Sequence, residues 1–212
     1  MVARPAPGPP SSGRLHVLPA PSEMDDEALV EGLRRQEPQA QAAFCRRFAE
    51  PVYRTLLRIL GRAQDADDLR QEVLLRALRG GGRIREPAAL VGWVRTITVR
   101  VARTELRRRA ARRWLRLLPP EELPHPASHD DPGDDDVEAM RALYRILDEL
   151  SASDRTLFAL RFIDGLEVTA VAVACELSRT TAKRRLARVE QRVRRLAASE
   201  PALKAWVEEE RS

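Results

Sequence analysis

Lysine is nearly missing from this 212-residue chain: Lys183 and Lys204 stand against 35 arginines. A GC-rich genome gives that bias without any function, so it carries no argument about recognition. Cysteine is scarce as well. Cys45 and Cys175 lie far apart, fit no metal or redox spacing and fall in helical patterns, which reads as two buried, reduced thiols. The three histidines, His16, His125 and His129, lie in proline-rich or acidic stretches and form no site. These absences leave no catalytic set, no metal site and no cofactor to expect. No apolar run approaches the roughly 20 residues that span a bilayer, and the first residues lack the apolar core of a signal peptide. The expectation is a cytoplasmic protein with no stable membrane association. Strand-length alternation and internal repeats are also missing, so the fold class expected is all-α.

What is present is enough apolar content to bury a core, 43%, and a net charge of +5 that is unevenly placed. Residues 92–116 hold nine arginines and one acid, 117–138 eight acids and no base, 178–196 eight bases and one acid. Two cationic blocks separated by an anionic stretch suggest two contacts with a polyanion.

The last block is the most informative. Ala182, Leu186, Val189, Val193 and Leu196 recur at spacings of four and three, one narrow apolar stripe on a helix. At 100° per residue Thr180, Arg184, Arg188 and Arg195 fall opposite it. Ser178 is a good N-cap. Upstream, Asp164-Gly165 ends one helix, a short helix offers Val168, Val171, Ala172 and Cys175 to a core, and Glu176-Leu177 is a tight break. Helix, short turn, basic helix is the helix-turn-helix pattern, whose second helix reads bases in the major groove. The plainer alternative is a basic solvent-exposed helix in a bundle.

Residues 1–22 are rich in Pro, Ala, Gly and Ser and read as a disordered extension. From Asp25 the pattern is helical: a first helix with Leu29 and Leu33, a second from Pro38, a third from Pro51 stopped by Gly61, and a fourth capped by Asp65 and running to about Leu78. Gly80-Gly81-Gly82 reads as a flexible break, and Glu86-Pro87 starts a helix to about Arg113. The boundaries expected are a helical domain at 23–114, an acidic flexible linker at 115–136, a helix-turn-helix domain at 137–197 and a tail at 198–212 anchored by Trp206. In the second domain Met140, Leu143, Leu147 and Leu150 form one apolar set, and Ser151 or Ser153 caps the next helix.

Two further constellations stand out. Asp65-Ala66-Asp67-Asp68-Leu69-Arg70-Gln71-Glu72-Val73 places Asp65, Asp68 and Glu72 on one face. Three readings stand: dipole complementation and a solvated face, a carboxylate metal site lacking a second acidic motif, or a polar face for a protein partner. Trp93 to Arg109 gives an inner side of Trp93, Ile97, Val101 and Leu106, and a cationic outer side of Arg95, Arg103, Arg107 and the following arginines. Guanidinium groups bind phosphates and stack on bases. Complementing a helix C-terminus would need one or two arginines, not nine.

Together these motifs resemble the bacterial sigma factors of the extracytoplasmic-function (ECF) group, over roughly 25–113 and 137–196. Asp65-Ala-Asp-Asp-Leu-Arg-Gln-Glu-Val is similar to the family motif Asp-Ala-Glu-Asp-Leu-Val-Gln-Glu-Val. The resemblance implies two small helical domains joined by a flexible acidic linker. It implies that Asp65, Asp67, Asp68, Gln71 and Glu72 bind RNA polymerase core at the clamp of the largest subunit. It also implies that Trp93, Arg95, Arg100, Arg103, Thr104 and Arg107, with the Gly80–Pro87 loop, hold the unpaired minus-ten strand. In the second domain Ser178, Arg179, Thr180, Thr181, Lys183, Arg184 and Arg188 would read the minus-thirty-five duplex. The flap of the second-largest polymerase subunit, promoter DNA and an anti-sigma factor are the other partners implied. The acidic run either mimics nucleic acid in the polymerase's RNA path or keeps two cationic domains soluble. Four departures from the family pattern stand out: Arg100 where Asn is usual, Thr104 where Asp is usual, Glu176 at the usual turn glycine, which predicts a wider or strained turn, and Thr180-Thr181 where Gly-Thr is usual before the reading helix. The runner-up is a helix-turn-helix repressor or activator, which leaves the Asp65–Val73 motif and the Arg-rich block unexplained.

Overall fold

The computed structural model describes residues 24–116 and 134–203, so the expectations for 1–22, for the core of the acidic stretch and for Trp206 lie outside the described residues. Among the described residues there is no strand. The first half holds α1 (Asp26–Arg34), α2 (Pro38–Leu60), α3 (Ala63–Gly80) and α4 (Leu90–Arg116). The second holds α5 (Asp134–Asp148), α6 (Ala152–Phe158), α7 (Val168–Cys175) and α8 (Arg179–Ala197). The end of α6 continues as one π-helical turn, Ala159–Ile163.

Helix α2 corrects the expected break at Pro51: it is one 23-residue helix with that proline inside. Proline removes one ladder hydrogen bond, but Phe44, Phe48, Val52, Leu56 and Ile59 form an unbroken buried stripe through the position, and Pro51 itself faces solvent. Tertiary burial of five large side chains, about 1.5–3 kcal/mol each, outweighs one local defect. Asp65 is likewise not a cap. Helix α3 starts at Ala63 with Arg62 as N-cap, and Asp65 sits within the first turn.

Within the glycine triplet, Gly80 and Gly81 are places of close approach, whereas a Cβ on Gly82 would meet open space. Gly80 and Gly81 have ordinary right-handed conformations, and a Cβ on them would meet Trp93 at 3.0 Å and Leu33 at 3.1 Å. The following loop is held by Arg34, whose guanidinium donates to the carbonyls of Ile84 and Arg85 at 2.5 and 3.1 Å.

The two halves pack together. One apolar cluster joins Leu56, Ile59, Val101 and Leu106 of the first half to Leu157, Leu160, Val171, Cys175 and Leu186 of the second. A second cluster, with Leu143, Leu147, Phe158, Val189 and Val193, holds α5, α6 and α8 to one another. The C-terminus of α2 is capped by the other half. Arg155 donates to the carbonyls of Ile59 and Leu60 at 2.7 and 2.8 Å and pairs with Asp148, and the Tyr144 hydroxyl donates to the Arg58 carbonyl at 2.9 Å. Arg58 in turn pairs with Asp164. Gly61 closes α2 at φ +72°, and a Cβ there would lie 2.5 Å from the Tyr144 ring.

Gly61→Ala therefore meets both a left-handed backbone and a ring that cannot retreat. The substitution is expected to lower stability by about 2 kcal/mol or more, read as a reduced urea midpoint with unchanged m-value.

Candidate nucleic-acid interface

Gly165, at φ +70°, makes the turn that leads into α7, and the Leu166 amide donates to the Leu160 carbonyl at 2.9 Å. Helix α7 buries Val171, Ala172, Ala174 and Cys175. It ends at Glu176, which takes the left-handed conformation at φ 57°, ψ 44°. The turn is therefore strained and not wider. The Leu177 amide returns to the Ala172 carbonyl at 2.9 Å, the bond that closes a helix tightly. A residue with a Cβ pays conformational strain here that glycine does not.

Ser178 caps α8, its hydroxyl accepting from the Thr181 amide at 3.2 Å and lying 2.8 Å from the Thr181 hydroxyl. Ala182, Leu186, Val189 and Val193 are buried; at the end of the stripe the buried position is Ala197, with Leu196 half-buried beside it. Arg179, Thr180, Lys183, Arg184 and Arg188 are exposed, Thr181 half-buried. Arg185 turns the other way, 2.7 Å from Asp154 of α6, with Arg188 3.7 Å from the same carboxylate. Burial pushes the Asp154 carboxyl up, but hydrogen bonds with Arg185 and Ser151 and the two arginine charges bring it below its ordinary 3.8. This ion pair, which fixes α8 against α6, was not legible from the helix pattern.

On α4, Val94, Thr98, Val99, Val101, Ala102 and Leu106 are buried, while Trp93 and Ile97 are partly so. Arg100, Thr104 and Arg107 are exposed. The cationic outer side is narrower than the pattern suggests. Arg95 and Arg103 are half-buried. Arg109 turns inward to Asp65 at 2.5 Å, Glu105 at 3.4 Å and the Leu60 carbonyl at 3.3 Å. Buried Glu105 also gathers Arg112 at 3.0 Å. Arg100 meets Glu176 of the helix-turn-helix through two hydrogen bonds, 2.8 and 2.5 Å. Those bonds hold the Glu176 carboxyl below its ordinary range and push Arg100 up.

On α3, Asp67, Asp68 and Gln71 face solvent, Glu72 pairs with Arg76 at 2.5 Å, and Asp67 with Arg70 at 3.0 Å. Asp65 faces Arg109, so the three carboxylates do not converge, and among the described residues no group of His, Cys, Asp and Glu is placed to hold a metal ion. Leu75 is 52% exposed. It lies four residues after Gln71 and three after Glu72, so spacing alone could have added it to this face. Cys175 is buried and Cys45 half-buried, and burial pushes both thiols up. No described helix is long and apolar enough to cross a membrane.

A capped basic helix after a tight turn, with a second Arg-bearing helix beside it, defines an all-helical protein of the nucleic-acid-binding type. Residues 44–112 match the model of sigma-70 region 2, and residues 140–193 that of sigma-70 region 4. The ECF RNA polymerase sigma factor SigE of Mycolicibacterium smegmatis is 30% identical over 157 residues, a match spanning 70% of this chain and 58% of that relative. The chain thus spans little more than half the length of that curated relative. In fold it is similar to the sigma factor RpoE of Bartonella quintana, solved in complex with the anti-sigma factor NepR. That likeness has a TM-score of 0.55 at 20% identity and covers 74% of this chain and 95% of that one. The chain belongs to the sigma-70 family.

Asp154 links α6 to the basic helix, and its carboxyl sits below its ordinary value. A depressed carboxylate contributes stability that is complete above 3.8 and fades as pH falls through the native value. Asp154→Asn is expected to lose about 1 kcal/mol near pH 7. Denaturant melts across pH should show that deficit shrinking as pH falls below 3.8 and through the lowered native value.

Proposed function

We propose that this chain is a sigma factor that binds RNA polymerase core, directs it to specific promoters and starts transcription, with no catalytic activity of its own. The observation that carries the reading is the exposed row Arg179, Thr180, Lys183, Arg184 and Arg188 on a capped helix, in a chain that also matches sigma-70 region 2. Residues 137–197 would form the minus-thirty-five domain. Arg reads guanine by paired hydrogen bonds and Thr contacts a thymine methyl, while some of these arginines contact only phosphate and set register. Ser178 and Thr181 serve first as the cap that presents this row.

Residues 23–114 would form the core-binding and minus-ten domain. Asp67, Asp68, Gln71 and Glu72 of α3 suit the polymerase clamp, with Leu75 as an apolar addition; Asp65 supports that face through Arg109. Trp93, Arg95, Arg100, Arg103, Thr104 and Arg107 are the minus-ten set. The stretch 115–136 would act as the linker between domains, with 1–22 and 198–212 as extensions. The polymerase flap and an anti-sigma factor are further partners in this reading, the latter supported by the NepR complex of the Bartonella relative. The work would take place in the cytoplasm. A repressor or activator acting without polymerase is the less favoured reading, because it gives residues 44–112 no role.

Run-off transcription with bacterial core polymerase on a pool of randomised promoters tests this. Defined start sites should appear only when the chain is added; a chain that selects duplex DNA alone and never joins core would overturn the reading. On an enriched promoter, Arg184→Ala separates two roles. If it contacts phosphate, binding weakens across all sequences and the salt slope falls by about 0.9. If it reads a base, discrimination at one position falls by about 1–3 kcal/mol.

A further inference from the structure

In the exposed row on α8, Arg188 differs from its neighbours. Its guanidinium, 69% exposed, lies 3.7 Å from Oδ1 of Asp154 on α6. Among the described residues, Arg179, Lys183 and Arg184 have no carboxylate within ion-pair distance. The Asp154 carboxylate is itself fixed. Arg185 donates to the same oxygen at 2.7 Å, and the Ser151 hydroxyl bonds it as well. At 100° per residue Arg184 stands opposite the buried stripe, Arg188 about 40° round from it, and Arg185 about 60° further toward α6. A helix laid in the major groove sets the middle of its exposed face on the base edges and its flank along a wall of phosphates. Arg188 stands on that flank.

We propose that Asp154 is a positioning residue for DNA binding: it holds the Arg188 guanidinium at the edge of α8, where Arg188 takes one backbone phosphate of the minus-thirty-five duplex and reads no base. This rests on the minus-thirty-five reading of α8. A separation of 3.7 Å is an ion pair and not a hydrogen bond. Asp154 therefore orients the group and leaves its N–H donors for the DNA. A free arginine side chain gives up many rotamers on binding, and one already held gives up fewer. The carboxylate comes from another helix, so the direction it imposes is set by the packing of α6 on α8 and not by α8 alone. A lone carboxylate beside the groove would repel phosphate. Here it is outnumbered by Arg185 and Arg188, and the cluster stays cationic.

The test uses bacterial core polymerase joined to the full chain, on a promoter duplex enriched in the run-off pool. A neutral methylphosphonate replaces each phosphate of the minus-thirty-five element in turn, and the dissociation constant is measured for every duplex. One replacement should weaken binding about tenfold, and Arg188→Ala should weaken the unmodified duplex to the same degree and lose sensitivity to that replacement. Asp154→Asn should weaken the unmodified duplex about threefold and cut the sensitivity at that same phosphate by at least half. Adding it to Arg188→Ala should cost nothing more, and Asp154→Glu, which keeps the charge, should restore the sensitivity. Sensitivity is a ratio of two constants for one protein, so the stability lost in Asp154→Asn does not enter it. Unchanged or tighter binding by Asp154→Asn would overturn the proposal. So would losses that multiply in the double variant with full sensitivity kept, the result of a purely structural role through Arg185. Should the assembled polymerase select no duplex at all, the sigma-factor reading falls; one that binds but shows no phosphate dependent on Arg188 sinks this proposal alone.

Discussion

The arrangement of the two halves depends on one buried guanidinium. Arg155 is 2% exposed, and taking a charge out of water costs several kcal/mol unless it is paired and hydrogen-bonded. Burial is the main influence on this group and works against its charge; Asp148 works for it. Arg155 meets the demand by donating to the Ile59 and Leu60 carbonyls. The last carbonyls of any helix lack partners within it. Each side thus supplies what the other lacks: α2 brings orphan acceptors, α6 brings a donor. The Tyr144 hydroxyl, on the Arg58 carbonyl, completes that end of α2, and burial pushes its phenol up to about 12.

The same economy of charge shapes the basic face. An arginine-rich chain must decide which guanidinium groups are structural. Arg155, Arg109 and Arg185 each find a carboxylate from another part of the chain, Asp148, Asp65 and Asp154. Arg179, Lys183 and Arg184 stay exposed along α8. The structural arginines fix the helices that present the exposed ones, so a pattern of uniform positive charge resolves into scaffold and surface.

What local periodicity encodes was legible in the sequence. The stripe of α8, its Ser178 cap, the break at Glu176 and the Gly61 stop all follow from spacing and backbone preference. The turn from Leu196 to Ala197 at the buried end of α8 was missed by one residue, because a 3.6-residue period drifts against alternating steps of four and three. Pro51 misled because propensity is local and the stripe of α2 is not. Asp65 and Arg103 meet partners 44 and 72 positions away, and Arg109 is drawn to that same Asp65 as well as to Glu105 four residues back. Nothing in a helix pattern announces an ion pair with a different element. Arg155 and Tyr144, which determine how the halves meet, carried no local signal at all.

Arg100 and Glu176 show how a departure from a family pattern gains meaning only in three dimensions. Each alone is a local loss: an arginine in place of a smaller polar side chain, and a strained residue in place of glycine. Together they compensate in charge and geometry. Their pair is exposed at the seam's rim, where ion pairs contribute at most about 1 kcal/mol and weaken with salt. The apolar cluster and Arg155 hold the two halves together, so the Arg100–Glu176 pair at the rim adds only a small bias to an arrangement that burial already sets.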